Sequence, residues 1–553
     1  MKRVIRITLP GRPDTDVDAG TPVGALLPAI ADNGLPIVGA IVNNDAVSLG
    51  FPLAAHATVT PLTAADHHGW RIIRWSLSFL LGKAIHTTFP DLSYRVRHSM
   101  SGGLFCTVAW PNGNSVADNV ALIKAEMERL IDADTPISYD VVSYADALRL
   151  FESSHQHDKL ALFTHRNPPY MTINRCGIFY DMAQEPIVHR AGLLRPYDLI
   201  PYENGMVLRL PSRANPQELG EWSPNPKLFA VYQEHISWGR ILGVNSVGKL
   251  NRLIHDGGTD DLIQTAEALH EKKLAVIAAD IANRKSPVKL ILVAGPSSAG
   301  KTTFSKRLCT HLRVNGMRPL LISTDDYFVG DERNPRDANG HLDYEHIEAV
   351  DLKLLNEDFT RLLDGQTIKR RVFDFKTKKG YASDEEFNLK DNGVIVMEGI
   401  HSLNPRMITI PDSSCSYRIY VSALTQLGID RNCRISTTDN RLIRRMVRDN
   451  AHRGHPALAT LRRWPSVGRG EARWIFPFQN NADAIFNSAL DYELAVLKPL
   501  ATPLLNQVKS TDPEFVEARR LSGFLQNFVE LPATAVPGYS ILREYIGGSQ
   551  LRY

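Results

Sequence analysis

Gly295-Pro296-Ser297-Ser298-Ala299-Gly300-Lys301-Thr302-Thr303 decides the reading of this 553-residue chain. It fits the pattern G-x-x-x-x-G-K-[ST] without a mismatch, and its surroundings are those the pattern requires. Val288 to Ala294 is a short, mostly apolar run suited to a buried parallel strand, and Lys301 to Leu312 reads as a helix with Phe304, Leu308 and Leu312 on one face. A strand, a glycine turn and a helix start let backbone N–H groups curl around a phosphate at the positive end of the helix dipole. Gly295, Ser297, Ser298, Ala299, Gly300, Lys301, Thr302 and Thr303 are therefore expected to hold a nucleoside triphosphate. Lys301 reaches its terminal phosphates and the Thr302 hydroxyl serves Mg²⁺.

Outward from this loop, more acidic groups fall where such a site needs them. Arg318 to Ser323 reads as a second buried strand running into Thr324-Asp325-Asp326-Tyr327, and Gly393 to Met397 as a third that ends at Glu398. In a doubly wound sheet, ligands sit beyond the carboxyl ends of the strands, so these carboxylates lie beside the phosphates. One can orient and deprotonate an attacking hydroxyl, and Glu398 can hold Mg²⁺. Arg441, Arg444, Arg445, Arg448 and Arg453 recur at helical spacing, which beside a triphosphate suits a lid whose guanidiniums neutralise developing charge.

In this order, the elements of residues 288–490 resemble the uridine kinase family within the phosphoribulokinase/uridine kinase group. The resemblance makes Asp325 the base and Asp326 a bystander. It puts Glu345 where an aspartate usually grips the ribose, and Tyr327, Phe373, Lys378 and Arg445 around the acceptor. It assigns Arg445 and Arg448 to catalysis and Arg453 to the donor. Pyrimidine nucleoside kinases usually carry Tyr and His where this chain has Phe373 and Lys378, and His455 stands where arginine is common. Stacking on Phe373 survives those changes; hydrogen-bond readout of a pyrimidine edge does not.

The first half reads differently. Lys2 to Thr8, Ile37 to Asn43 and Val59 to Leu62 are strand-like, with a short helix expected over Thr21 to Ala31. The order Gly20-Thr21-Pro22, Val38 to Asn43, Val59 to Leu62 resembles the TGS domain of threonyl-tRNA synthetases. The helix signal from Gly69 to Ala84 resembles the start of the second additional domain of the same enzymes. Where those carry an H-x-x-x-H pair for editing, this chain has Phe79 and Lys83; Cys176 alone matches the later editing motif. The implied fold is editing-like without the hydrolytic chemistry. His67-His68 reads as a solvated turn, and His155 and His157 as exposed.

Length suggests about three or four domains. The boundaries read as 1–65 TGS-like, 66–225 synthetase-like, 226–284 a helical connector, 285–510 an α/β P-loop kinase domain with helices on both faces of a parallel sheet, and 511–553 a tail with only a packing role. This order resembles a group of bacterial fused nucleoside kinases. A net charge of +3 is too mild to make nucleic acid an obligatory partner. Five scattered cysteines fit a reducing compartment, and no apolar run reaches membrane-spanning length, so a cytoplasmic protein is expected. The expected activity is ATP- and Mg²⁺-dependent phosphorylation of a nucleoside 5′-hydroxyl, in a chain free to form oligomers. The rivals are a kinase of another small alcohol or sugar phosphate, and an RNA-associated ATP-dependent regulator that would need salt-dependent tRNA binding.

Overall fold

The computed structural model describes residues 3–100, 102–111, 113, 115–337, 340–375, 377–409 and 413–551; Lys2, in the first expected strand, lies outside them. Its organising sheet is five-stranded and wholly parallel, in the order 318–323, 393–398, 290–294, 416–422, 484–487. The central strand Leu290–Ala294 is buried along its length, as a strand covered on both faces must be. It feeds the loop and then the helix Lys301–Val314, whose Phe304, Leu308 and Leu312 are fully buried. Strand Arg318–Ser323 and strand Gly393–Glu398 flank it on one side, so Ser323 and Glu398 emerge paired at the same sheet edge as the loop.

The N-terminal segment is β-rich as expected, with strand order 15–18, 4–8, 57–63, 37–42, 45–47. The helix expected over Thr21 to Ala31 shrinks to a single 3₁₀ turn, Val23–Leu26. Pro22 and Pro28 bracket it, and proline neither donates an N–H nor tolerates a helical residue before it. His67 and His68 open the helix His67–Thr88 and are not in a turn, while His155 and His157 are exposed as expected. Among the described residues no helix is long and apolar enough to cross a membrane.

Residues 66–225 pack in two directions. The sheet ordered 198–202, 205–209, 103–109, 93–100 forms one core with the helices His67–Thr88 and Val116–Asp132. The sheet ordered 179–182, 170–176, 138–143 instead sends Met171, Ile173 and Met182 into the core that holds Phe304, Leu308 and Val421 of the P-loop domain. Phe151, Leu162 and Phe163 join it, as do Leu262 and Leu274 of the connector helices and Leu525 and Tyr545 of the tail.

A buried charge cluster pins the same junction. The Lys159 ammonium, fully buried, lies 2.8 Å from Asp181 and 3.6 Å from Asp430. Burial alone would lower its pKa; the two carboxylates outweigh that and raise it. Asp430 also accepts 2.8 Å bonds from the backbone N–H groups of Asn432 and Cys433, in the segment leading to the arginine helix Thr437–Arg453. Lys159→Met should leave two carboxylates buried without their cation and cost about 3–5 kcal/mol. The thermal unfolding midpoint of the full chain measures it, with a fall of several degrees expected.

Candidate active site

The loop has an unusual backbone that only some residues permit. Gly300, at φ +84°, occupies the left-handed region where L side chains are strained, and Ser298 is held at φ +57°. At Gly295 a Cβ would stand 2.1 Å from the carbonyl oxygen of Val421, so the loop can approach the neighbouring strand only as glycine.

Two helices hold this shape in place. Arg441 is buried and forms a two-pronged pair with Glu471, with Nη2 to Oε2 at 2.8 Å. Arg441 Nη1 also donates to the Ser297 carbonyl at 3.0 Å, and the Ser297 N–H donates to Glu471 Oε1 at 3.1 Å. One turn on, Arg444 is fully buried against Glu493 and donates through Nη2 to the Ser488 carbonyl at 2.8 Å. The arginine helix, expected as a lid, is thus packed into the core, with Leu442, Ile443 and Met446 fully buried. Sequence reasoning had not singled out Glu471 or Glu493.

The remaining arginines face the loop. Arg445 Nη1 donates to Ser297 Oγ at 2.9 Å, and Glu345 lies 4.0 Å from it. Arg445, Arg448 and Arg453 lie 3.3, 2.9 and 3.5 Å from Asp449. Burial would raise the Asp449 carboxyl, but these three guanidiniums outweigh it and hold it below the usual range. Three cations around one anion leave positive charge beside the loop, where Lys301 also lies with Nζ 3.3 Å from the Pro296 carbonyl.

Opposite them is an acidic pocket. Thr302 Oγ1 and Ser323 Oγ donate to Glu398 Oε1 at 3.1 and 3.2 Å. Burial pushes the Glu398 carboxyl up to about 7 against the pull of Lys301, and Asp325 and Glu544 add like charge. A cluster of oxygens at which a carboxylate ionises reluctantly fits a hard divalent cation, which takes oxygen donors and relieves that repulsion. Thr302 and Glu398, the two expected ligands, meet here; Ser323 joins them. Asp325 is exposed, and its carboxylate makes no hydrogen bond to the described residues; only its N–H is engaged, with Ser323 Oγ at 3.3 Å. Burial pushes the Asp326 carboxyl up, against a hydrogen bond from the Phe373 backbone.

The expected acceptor residues do not all converge. Phe373 forms an aromatic cluster with Phe328 and Phe375, ring centres 5.6 and 5.1 Å away. Tyr344 joins it at 6.3 Å from Phe328, and Lys378 lies over Tyr344 at 4.8 Å. Arg453 reaches the face of Phe375 at 5.9 Å. Burial pushes the Glu345 carboxyl up to about 7, against the pull of Arg445, and its Oε2 has no hydrogen-bond partner. Tyr327 departs from expectation: it is 3% exposed, and its hydroxyl donates to Asp358 at 3.3 Å. Its ring completes the core beneath the site and does not line it.

In the first half, Phe79 is buried with its ring 5.4 Å from Phe179, and Lys83 donates to Thr87 at 2.8 Å. Cys176 is buried in the same cluster, which pushes its thiol up. Phe79 thus makes an apolar contact and Lys83 a helix-surface hydrogen bond at the two positions matched to the histidine pair.

Residues 290–495 match the Phosphoribulokinase / Uridine kinase family, so this part of the chain carries a kinase-family domain. The chain is similar to the uridine kinase of Ureaplasma parvum serovar 3, with 28% identity over 203 residues, 36% of this chain and 88% of that protein. The uridine kinase of Anoxybacillus flavithermus is 29% identical over 204 residues, 36% of this chain and 86% of that protein. A threonine–tRNA ligase of Solidesulfovibrio magneticus is 30% identical over 165 residues, 30% of this chain but only 25% of the ligase, which fits the synthetase-like part.

Glu471→Ala should strand a buried guanidinium and free the loop at Ser297, costing about 3–5 kcal/mol of stability. Thermal unfolding and equilibrium binding of MgATP on the same sample measure it, and both should fall.

Proposed function

We propose that this chain is an ATP- and Mg²⁺-dependent kinase that phosphorylates the 5′-hydroxyl of a nucleoside. The observation that carries the reading is the meeting of Thr302, Ser323 and Glu398 at the ends of adjacent strands, with the free carboxylate of Asp325 two residues beyond Ser323. Thr302 and Glu398 would hold Mg²⁺, which would supply positive charge beside the donor phosphates. Lys301 and the loop amides hold the donor phosphates. Asp325 accepts the proton of the acceptor hydroxyl and aims its oxygen. Arg445 and Arg448 supply positive charge from a helix that cannot move far, so their field is in place before the reaction begins. Arg453 stands between the donor side and the aromatic cluster.

The cluster of Phe328, Phe373 and Phe375 favours an acceptor with a flat ring over a bare sugar phosphate. Phe375 is 46% exposed and can offer a face for stacking, whereas Phe373, the expected stacking residue, is buried; the cluster has few edge donors, so uridine and cytidine should be accepted with little preference between them. The first half, read as a TGS and an editing-like unit, has lost the paired imidazoles of editing and serves the kinase domain through their shared core.

Asp325→Asn should lower nucleoside-stimulated ATP turnover by about 10²–10⁴-fold while MgATP binding persists. Turnover stimulated by tRNA and by no small acceptor would refute the kinase reading. Glu345 supplies a pH signature. Its carboxyl is protonated below about 7 and charged above it, and only the charged form accepts hydrogen bonds through both oxygens from a ribose. The KM for the nucleoside should therefore fall as pH rises through that value, and Glu345→Gln should flatten the profile.

A further inference from the structure

We propose that Glu544, in the C-terminal tail, is an internal anion that occupies part of the phosphate cradle and competes with the nucleotide for it. Its Oε2 accepts a hydrogen bond of 2.7 Å from Thr303 Oγ1 and one of 3.3 Å from the Thr303 N–H. That N–H lies in the first turn of the helix Lys301–Val314, where amides have no partner within the helix and point at an anion. A carboxylate therefore uses the donors that a phosphate oxygen would use.

The placement is built in. Ile541 fills the space beside Gly300, 2.7 Å from where a Cβ would stand, and the Tyr545 hydroxyl donates to the Ser298 carbonyl at 3.0 Å. The Arg444 guanidinium lies over the Tyr545 ring at 5.0 Å. Ile541, Leu542 and Tyr545 are fully buried, whereas Glu544 is only half-buried. The tail backbone is anchored, and the carboxylate is the part free to swing.

Glu544 already adds like charge to Glu398, and an incoming triphosphate adds more. Phosphate and carboxylate cannot share the Thr303 donors, so binding proceeds by exchange and the tail lowers the apparent affinity. A carboxylate in place about nine-tenths of the time weakens binding about tenfold.

The inference rests on the reading of the loop as a nucleotide site, and one experiment separates the two. Equilibrium binding of MgADP is measured for the full-length chain, for Glu544→Gln and for Glu544→Ala, with unliganded unfolding midpoints as the check on folding. Glu544→Gln keeps an acceptor on Thr303 and removes the charge; it should bind about tenfold tighter, and Glu544→Ala at least as tightly. Unchanged or weaker binding in both variants overturns the competition and leaves the nucleotide site standing. No MgADP binding by any of the three chains overturns both.

Discussion

The buried pair of Arg441 and Glu471 is the interaction on which the site depends, because the phosphate loop cannot hold its own shape. Gly295 and Gly300 are there for close approach and for a left-handed turn, and Ser298 sits in strained backbone. Such a loop keeps its amides aimed inward only if something outside clamps it. Arg441 grips the Ser297 carbonyl while Glu471 takes the Ser297 N–H, so one ion pair fixes the two peptide groups that flank Ser297. Burying two charges is costly in itself and is repaid here through geometry and added hydrogen bonds.

Seen from this clamp, the arginine helix has two populations. Arg441 and Arg444 are internal struts, neutralised by Glu471 and Glu493. Arg445, Arg448 and Arg453 share the carboxylate of Asp449, with Glu345 4.0 Å from Arg445, and keep a surplus of charge toward the loop. The struts fix where the surplus points. A preformed field needs little reorganisation when charge shifts between atoms, which is what phosphoryl transfer asks of a protein.

The loop, the strands that carry Ser323 and Glu398, and the helix behind them were legible because their signals are local. An apolar run, a glycine pattern and a 3.6-residue period follow one another without a break between Val288 and Leu312. What escaped the sequence is long-range. Glu471 is 30 residues from Arg441, and Glu544 is 241 residues from Thr303, so no spacing announces either contact. Tyr327, which the resemblance put beside the acceptor, lies in a 3₁₀ turn that points successive side chains in different directions and carries its ring into the core. For residues 138–182 a hydrophobic pattern can say that a face is covered but not by what. Met171, Ile173 and Met182 meet the P-loop domain, whereas Cys176 and Phe179 pack with the rest of the synthetase-like segment.

That shared core has a consequence for heredity as much as for mechanics. Phe151, Leu162 and Ile173 lie in the same hydrophobic body as Phe304, Val421 and Tyr545. A substitution in the synthetase-like half that leaves a cavity there withdraws support from the sheet that carries the phosphate loop. In a genetic screen for loss of phosphorylation, hits would scatter over both halves of the chain, and a map of them would trace the buried seam rather than the active site.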